Sequence, residues 1–223
     1  MDKWLLSKLN TLIKNSTESF KQYEYVRTKA GVEKFFWHSF CDYYLEIVKH
    51  KLYNSEGRDS EVAAAKHTLY NGLLTTLKLM APIMPHITEE LYQARFAKDD
   101  ANKSLHVSDW PKFDKKLIDE KVEAIGDLVV DIIAAVRKYK SENSLSMKEK
   151  LDRLVIQTKK SYEEVGSGLE VAFNDLKETL SVVMLTGKGN KQRLVPIGEP
   201  AVQAVQQYVK ELRPNLMRFD DGR

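Results

Sequence analysis

Residues 61–80, EVAAAKHTLYNGLLTTLKLM, carry apolar side chains over a broad face at helical spacing and contain no proline. The run stops at APIMPH, where Pro82 and Pro85 remove backbone donors and clash with a continuing helix. A helix this apolar needs other surfaces to bury it, because tertiary packing supplies most helical stability. The chain offers those surfaces on both sides. Trp4, Leu5, Leu9, Leu12 and Ile13 recur at helical spacing near the start. A longer pattern covers about Tyr23 to Leu52, with Phe35, Phe36, Phe40, Tyr43, Tyr44 and Ile47 on one face. The polar patch NSEGRDS breaks it, and Asp59 or Ser60 can cap the apolar helix on its far side. ITEELYQARF reads as a short fourth helix, with Thr88, Glu89 and Glu90 suited to its positive N-terminal end. Residues 97–116 are loop-like. Helical spacing resumes at Ile118 and runs through Val122, Ile125, Val129, Ile132, Ile133 and Val136, until Asn143 and Ser144 end it. To this point the chain reads as an antiparallel helix bundle.

Beyond about residue 150 the character changes. DRLVIQT has strand composition, and SYEEVGSGLE reads as a flexible joint. FNDLKETL is helical in pattern, and SVVMLTGKGNKQRLVPI reads as strand, Gly/Asn turn and strand. EPAVQAVQQYVKEL closes as an amphipathic helix with Pro200 in its first turn. The expected fold class is therefore mainly α. A helix bundle over residues 1–150 is followed by a small α+β C-terminal module with a β-hairpin over 151–223.

Composition narrows the function. With 43% hydrophobic and 30% charged residues in 223, the chain has the balance of a globular protein. A net charge of +3 is too small by itself to signal nucleic-acid binding. Cys41 is the only cysteine, so no internal disulfide forms and a cytoplasmic location is the simplest expectation. No stretch has the roughly 18 apolar residues of a membrane span, and MDKWLLSKLN lacks the layout of a signal peptide. A helix entered at the first residues suggests a piece excised from something longer.

Catalytic patterns are weak. His38, Cys41 and Asp42 could share a helix face, but they sit within FFWHSFCDYYLE and have no second ligand pair, so no metal site is expected. There is no Gly-x-Ser-x-Gly elbow. Gly187, Lys188 and Gly189 are followed by Asn190 and Lys191 and then a strand, without the hydroxyl and helix that a phosphate-binding P-loop requires. The basic helix end is more informative. Between residues 134 and 160, eight Lys and Arg face three Asp and Glu, with Tyr139 interleaved. That pattern suits either a nucleic-acid contact or a solvated face.

Five blocks now stand in order: DKWLLSKLN, FFWHSFCDYYLEIVK, AAKHTLYNGLLTTLKLMAPIMPHITEELY, SLHVSDWP and AAVRKYKSENSLSM. Over residues 1 to about 155 they resemble the C-terminal helical, anticodon-binding region of the class I aminoacyl-tRNA synthetases, in particular the archaeal-type valyl-tRNA synthetases. The resemblance implies a bundle that packs on the anticodon stem and loop of a tRNA. In the complete synthetase, other domains use ATP and magnesium to ligate valine. Their His-Ile-Gly-His and Lys-Met-Ser-Lys-Ser signatures are missing here, so no catalysis and no cofactor are expected of this chain alone. RNA-reading proteins stack bases on aromatic faces and hold phosphates with Lys and Arg. The expected RNA contacts are Arg137, Lys138 and Lys140, which match the basic block. Phe36 and Trp37 form a second set. Phe35, Phe36 and Trp37 are consecutive and cannot all face the core, so one can be free to stack.

Residues from about 182 to 214 carry a different resemblance. VVMLTGKGNKQRLVPIGEPAVQAVQQYVKELRP is similar to the β-hairpin and following helix of the Xer/phage-type tyrosine recombinases. There the hairpin lysine, here Lys188, would act as a catalytic acid on DNA. The arginines, the His-x-x-Arg element and the tyrosine nucleophile that it needs are missing. A DNA-binding module, or a chimera serving as a scaffold, is the alternative that this tail raises.

Overall fold

The structure is a computed structural model. It describes residues 1–53, 58–100, 102–147 and 149, then 172, 174–176, 179 and 180, and the backbone of 183–187 and 191–195. Helices dominate. In chain order they are α1 (Asp2–Lys21), α2 (Tyr25–Lys34), a π-helical segment (Phe35–Tyr44), α3 (Leu45–Tyr53), α4 (Asp59–Met80), α5 (Pro85–Arg95) and α6 (Glu120–Glu142). Two strands, β1 (Val183–Gly187) and β2 (Lys191–Val195), pair antiparallel with Val183 opposite Val195. Residues 188–190, where the Gly/Asn turn is expected, and the closing helix lie outside the described residues. Among the described residues no helix is long and apolar enough to cross a membrane.

α1 is the common wall of the bundle. Its stripe Trp4, Leu5, Leu9, Leu12 and Ile13 is buried against α2, α4 and the π segment, as its spacing requires. Burying such side chains is worth about 1.5–3 kcal/mol each. The polar side of α1 is occupied as well. Ser7 donates to Glu123 Oε1 at 2.5 Å and accepts from the Asp119 amide at 3.0 Å. Asn10 donates to the Asp114 carbonyl and accepts from the Asp114 amide at 3.1 Å. Thr17 Oγ1 accepts from the Trp110 indole at 2.9 Å, and the Trp4 indole donates to Asp127 Oδ1 at 2.9 Å. These bonds strap the 110–119 loop and the start of α6 along α1. Gly126 makes the closest approach possible, since a Cβ there would collide with the Trp4 ring.

Several helix ends differ from their sequence reading. α4 begins at Asp59 itself, with Arg58 before it and no side-chain cap. Asp59 and Glu61 instead sit in its first turn, where they face the positive end of the helix dipole. Pro85 does not merely stop a helix: it is the first residue of α5, where its missing N–H costs nothing. Glu89 is therefore past the first turn of α5. Its Oε2 accepts from Ser104 Oγ at 3.0 Å and the Leu105 amide at 2.9 Å, which fastens the SLHV turn to α5. A bond from the Gln93 amide, joined by those two, holds its carboxyl below the usual range against the opposing effect of burial. α6 starts at Glu120, two residues after Ile118, because the Asp119 carboxylate caps the Lys121 and Val122 amides. Its far end falls where expected, at Asn143, with Ser144 in the left-handed region at φ 53°.

A second core joins Ile47 of α3 to Val129, Ile132, Ile133 and Val136 of α6 and to Ala172, Leu176 and Leu180. The last three lie beyond the boundary read from the sequence near residue 150, yet they are buried against the bundle. Beside them Asp175 accepts from Lys51 Nζ at 3.3 Å and from the Met1 nitrogen at 3.0 Å, and Lys51 also reaches Asp2 at 3.2 Å. Burial alone would push the Asp175 carboxyl up. The Met1 ammonium and Lys51 outweigh it and hold the group below its ordinary range.

Candidate nucleic-acid interface

The stretch FFWHSFCDYY has aromatic groups on every side of a helix, so more than one helical period can bury part of it. It adopts the wider π-helical turn, whose hydrogen bonds run five residues back. Phe35 and Phe40, five apart, and Tyr44 all reach the core. Phe36 is half-buried, its ring stacked on Phe40 at 5.9 Å between centroids. Trp37 is turned out: it is 63% exposed and meets the Phe36 ring edge-on, at 5.2 Å between centroids. Of the three consecutive aromatics, one is core, one is wall and one is free.

Across from the π segment lies the C-terminal part of α6. The Arg137 guanidinium sits 5.3 Å from the centre of the Tyr43 ring and donates to the Asp42 carbonyl at 2.7 Å. The His38 ring meets Tyr43 edge-on at 5.1 Å. Arg137, Tyr43 and His38 thus form one continuous layer, with Trp37 next to His38 in the chain. Of the expected basic contacts, Arg137 is half-buried and already engaged in this layer. Lys138 is exposed, 3.8 Å from Glu142, in a pair so open to water that it binds neither partner firmly. Tyr139 is 52% exposed.

Lys140 corrects the sequence reading. It is only 3% exposed, and its ammonium donates to the Met147 carbonyl at 2.9 Å. Burial pulls its proton affinity down, and Glu149 only partly offsets that. Four consecutive helical residues fan around the axis, so 137–140 cannot form one basic face. Periodicity carries the signal, because Val129, Ile133, Val136 and Lys140 continue one inward stripe. Nothing in the sequence singles out Tyr43 and His38 as site residues, because their importance lies in what Arg137 does across the helix pair. Cys41 is half-buried, and burial together with Asp42 raises its thiol pKa. Lys188 lies outside the described residues.

Comparison with known sequences fits this arrangement. The profile of the anticodon-binding domain of tRNA ligases matches residues 2–158, spanning the whole bundle. The chain belongs to that family. The valine–tRNA ligase of Thermococcus kodakarensis is 34% identical over 97% of the chain, and that of Pyrococcus furiosus 35% over 98%. The valine–tRNA ligase of Ehrlichia canis is 40% identical over 70% of the chain. The chain spans about a fifth of the length of these relatives. The two archaeal alignments cover nearly all of it, so they continue through the glycine-rich segment around Lys188.

Proposed function

We propose that this chain is the tRNA-binding piece of a valyl-tRNA synthetase and that the π segment with the end of α6 receives the anticodon stem-loop. The observation that carries the reading is Trp37. It is a large aromatic turned to solvent, beside a His–Tyr–Arg layer, in a family of anticodon-binding domains. Trp37 would stack an unpaired base, and Lys138 and Tyr139 would flank the backbone. Arg137 would act mainly by fixing Tyr43 and the π segment. Phe36 would support Trp37 from beneath without touching RNA. ATP and magnesium would serve the catalytic body of the longer enzyme, which works in the cytoplasm where translation runs.

We further infer that the tail is the synthetase's own. The archaeal valine–tRNA ligases align through it, and Ala172, Leu176 and Leu180 pack into the bundle. On this reading any separate α+β module begins after Leu180, not at 151. Lys188 has no assigned role.

Filter binding of the chain to valine tRNA and to an unrelated tRNA tests the proposal. Stacking on an aromatic side chain is worth about 1–3 kcal/mol per base. Trp37→Ala should therefore weaken valine-tRNA binding by roughly 5–150-fold, with the thermal melt unchanged. Equal binding of wild type and Trp37→Ala would overturn it.

A further inference from the structure

We propose that Lys14, Lys112, Lys115 and Lys116, gathered around Phe113, form a second RNA-contacting surface that grips phosphate backbone without reading sequence. It rests on the reading of this chain as an RNA-binding piece, but it uses none of the residues of the Trp37 site. Lys14 leaves the exposed side of α1, and its ammonium lies 5.9 Å from the centre of the Phe113 ring. Lys115 and Lys116 stand on a short 3₁₀ turn, Lys115–Leu117, and Lys112 precedes it. All four lysines are exposed.

The loop that presents them is held, not loose. Asn10 brackets Asp114 through both its amide and its carbonyl, and Asp114 Oδ1 accepts from the Lys116 amide at 2.8 Å. The Leu117 amide returns to the Asp114 carbonyl at 3.1 Å. The lysine stems therefore start from a fixed backbone, so little main-chain entropy is lost on binding. Asp114, the only acid within 112–117, points its carboxylate at its own turn. Asp109 lies 3.9 Å from Lys112, but both side chains are almost fully exposed, so the pair is weak. Lys14, Lys115 and Lys116 have no carboxylate within ion-pair distance among the described residues.

Point charges on flexible stems bind phosphates and carry no base code. Phe113, 40% exposed, adds a flat face for a sugar or an unpaired base. With only Phe113 and Leu117 offering apolar area, the patch is too small to anchor on a lipid surface.

The test uses the full chain, valine tRNA and an unrelated RNA hairpin, titrated over a range of salt. Each phosphate contact contributes about 0.7–0.9 to the slope of log affinity against log salt. The triple variant Lys112→Ala, Lys115→Ala, Lys116→Ala should flatten that slope by about two for both RNAs and weaken both at low salt by a similar factor of roughly ten or more. Lys14→Gln should flatten it by about one. An unchanged slope, a loss confined to one RNA, or lysine-dependent binding to anionic vesicles in place of RNA overturns the proposal. If the triple variant flattens the slope while Trp37→Ala leaves tRNA preference intact, this surface stands and the anticodon reading of the Trp37 site falls.

Discussion

α1 and the π segment both mix aromatic groups with polar ones, but the two spend their side chains in opposite ways. α1 turns its apolar stripe into the core, and Ser7, Asn10 and Thr17 bind the 110–123 region. The π segment buries Phe35, Phe40 and Tyr44 and hands Trp37 to solvent. Trp4 and Trp37 condense the difference. One is 2% exposed with its indole N–H satisfied by Asp127, the other is 63% exposed with an open ring. A satisfied buried polar group is the mark of a structural element, and the exposed Trp37 ring is the one we propose for the RNA contact.

The sharpest way to break this contrast is to truncate both tryptophans. Trp4→Ala should cost about 3–5 kcal/mol of stability, because it empties a core site and removes the indole hydrogen bond to Asp127. Trp37→Ala should shift stability by no more than about 0.5 kcal/mol. Denaturant melts of the two variants check both figures, and equal losses would erase the distinction.

The Asp175 latch gives the next largest effect. Its pKa is depressed in the folded state, so its stabilisation is present above the ordinary carboxylate range and disappears as pH falls through the folded value. Melting temperature should hold level from neutral pH down to about 5 and then drop below about 4. Asp175→Ala should cost about 3–5 kcal/mol at neutral pH, as is typical when one partner of a buried pair is removed, and should make the acid limb shallower. A full-sized acid limb in the variant would place the titration at another group.

Gly126→Ala should be milder, about 1–3 kcal/mol, the usual cost of forcing a methyl into packed space. Because the obstacle is the Trp4 ring, near-ultraviolet circular dichroism should change along with the melt. The smallest effect belongs to the outer rim: Lys138→Ala should leave the melt within about 0.5 kcal/mol of wild type.

Much of this architecture can be read in the residues, and the failures have physical causes. The stripes of α1, α4 and α6 are plain because a 3.6-residue period separates apolar from polar positions along each. The π turn is hidden because FFWHSFCDYY is aromatic on all sides, so no period stands out. Glu89 reads as a helix-start residue because its partner, the Ser104–Leu105 turn, lies fifteen residues on and has no local signature. Lys51 and Asp175 are 124 residues apart, and no helix pattern foretells such a pair. Lys140 is different: the inward stripe of α6 contains the answer, but its charge points away from its position.

One consequence of the Asn10–Asp114 bracket concerns chain length. The link between α5 and α6 is fastened early, where the Asn102 and Lys103 carbonyls accept from the Tyr92 hydroxyl and the Gln93 amide of α5 at 2.8 and 2.6 Å. From Leu105 onward its backbone is tied to Glu89, Asn10 and Ser7 in turn, so it works as a strut that fixes the angle of α6 against α1. Residues inserted between Asn10's partner and Ser7's partner would push α6 out of step with Trp4. The same number inserted between Asp100 and Asn102, before those ties, would only lengthen the loop ahead of the strut. Natural length variation in this family should therefore gather ahead of Asn102.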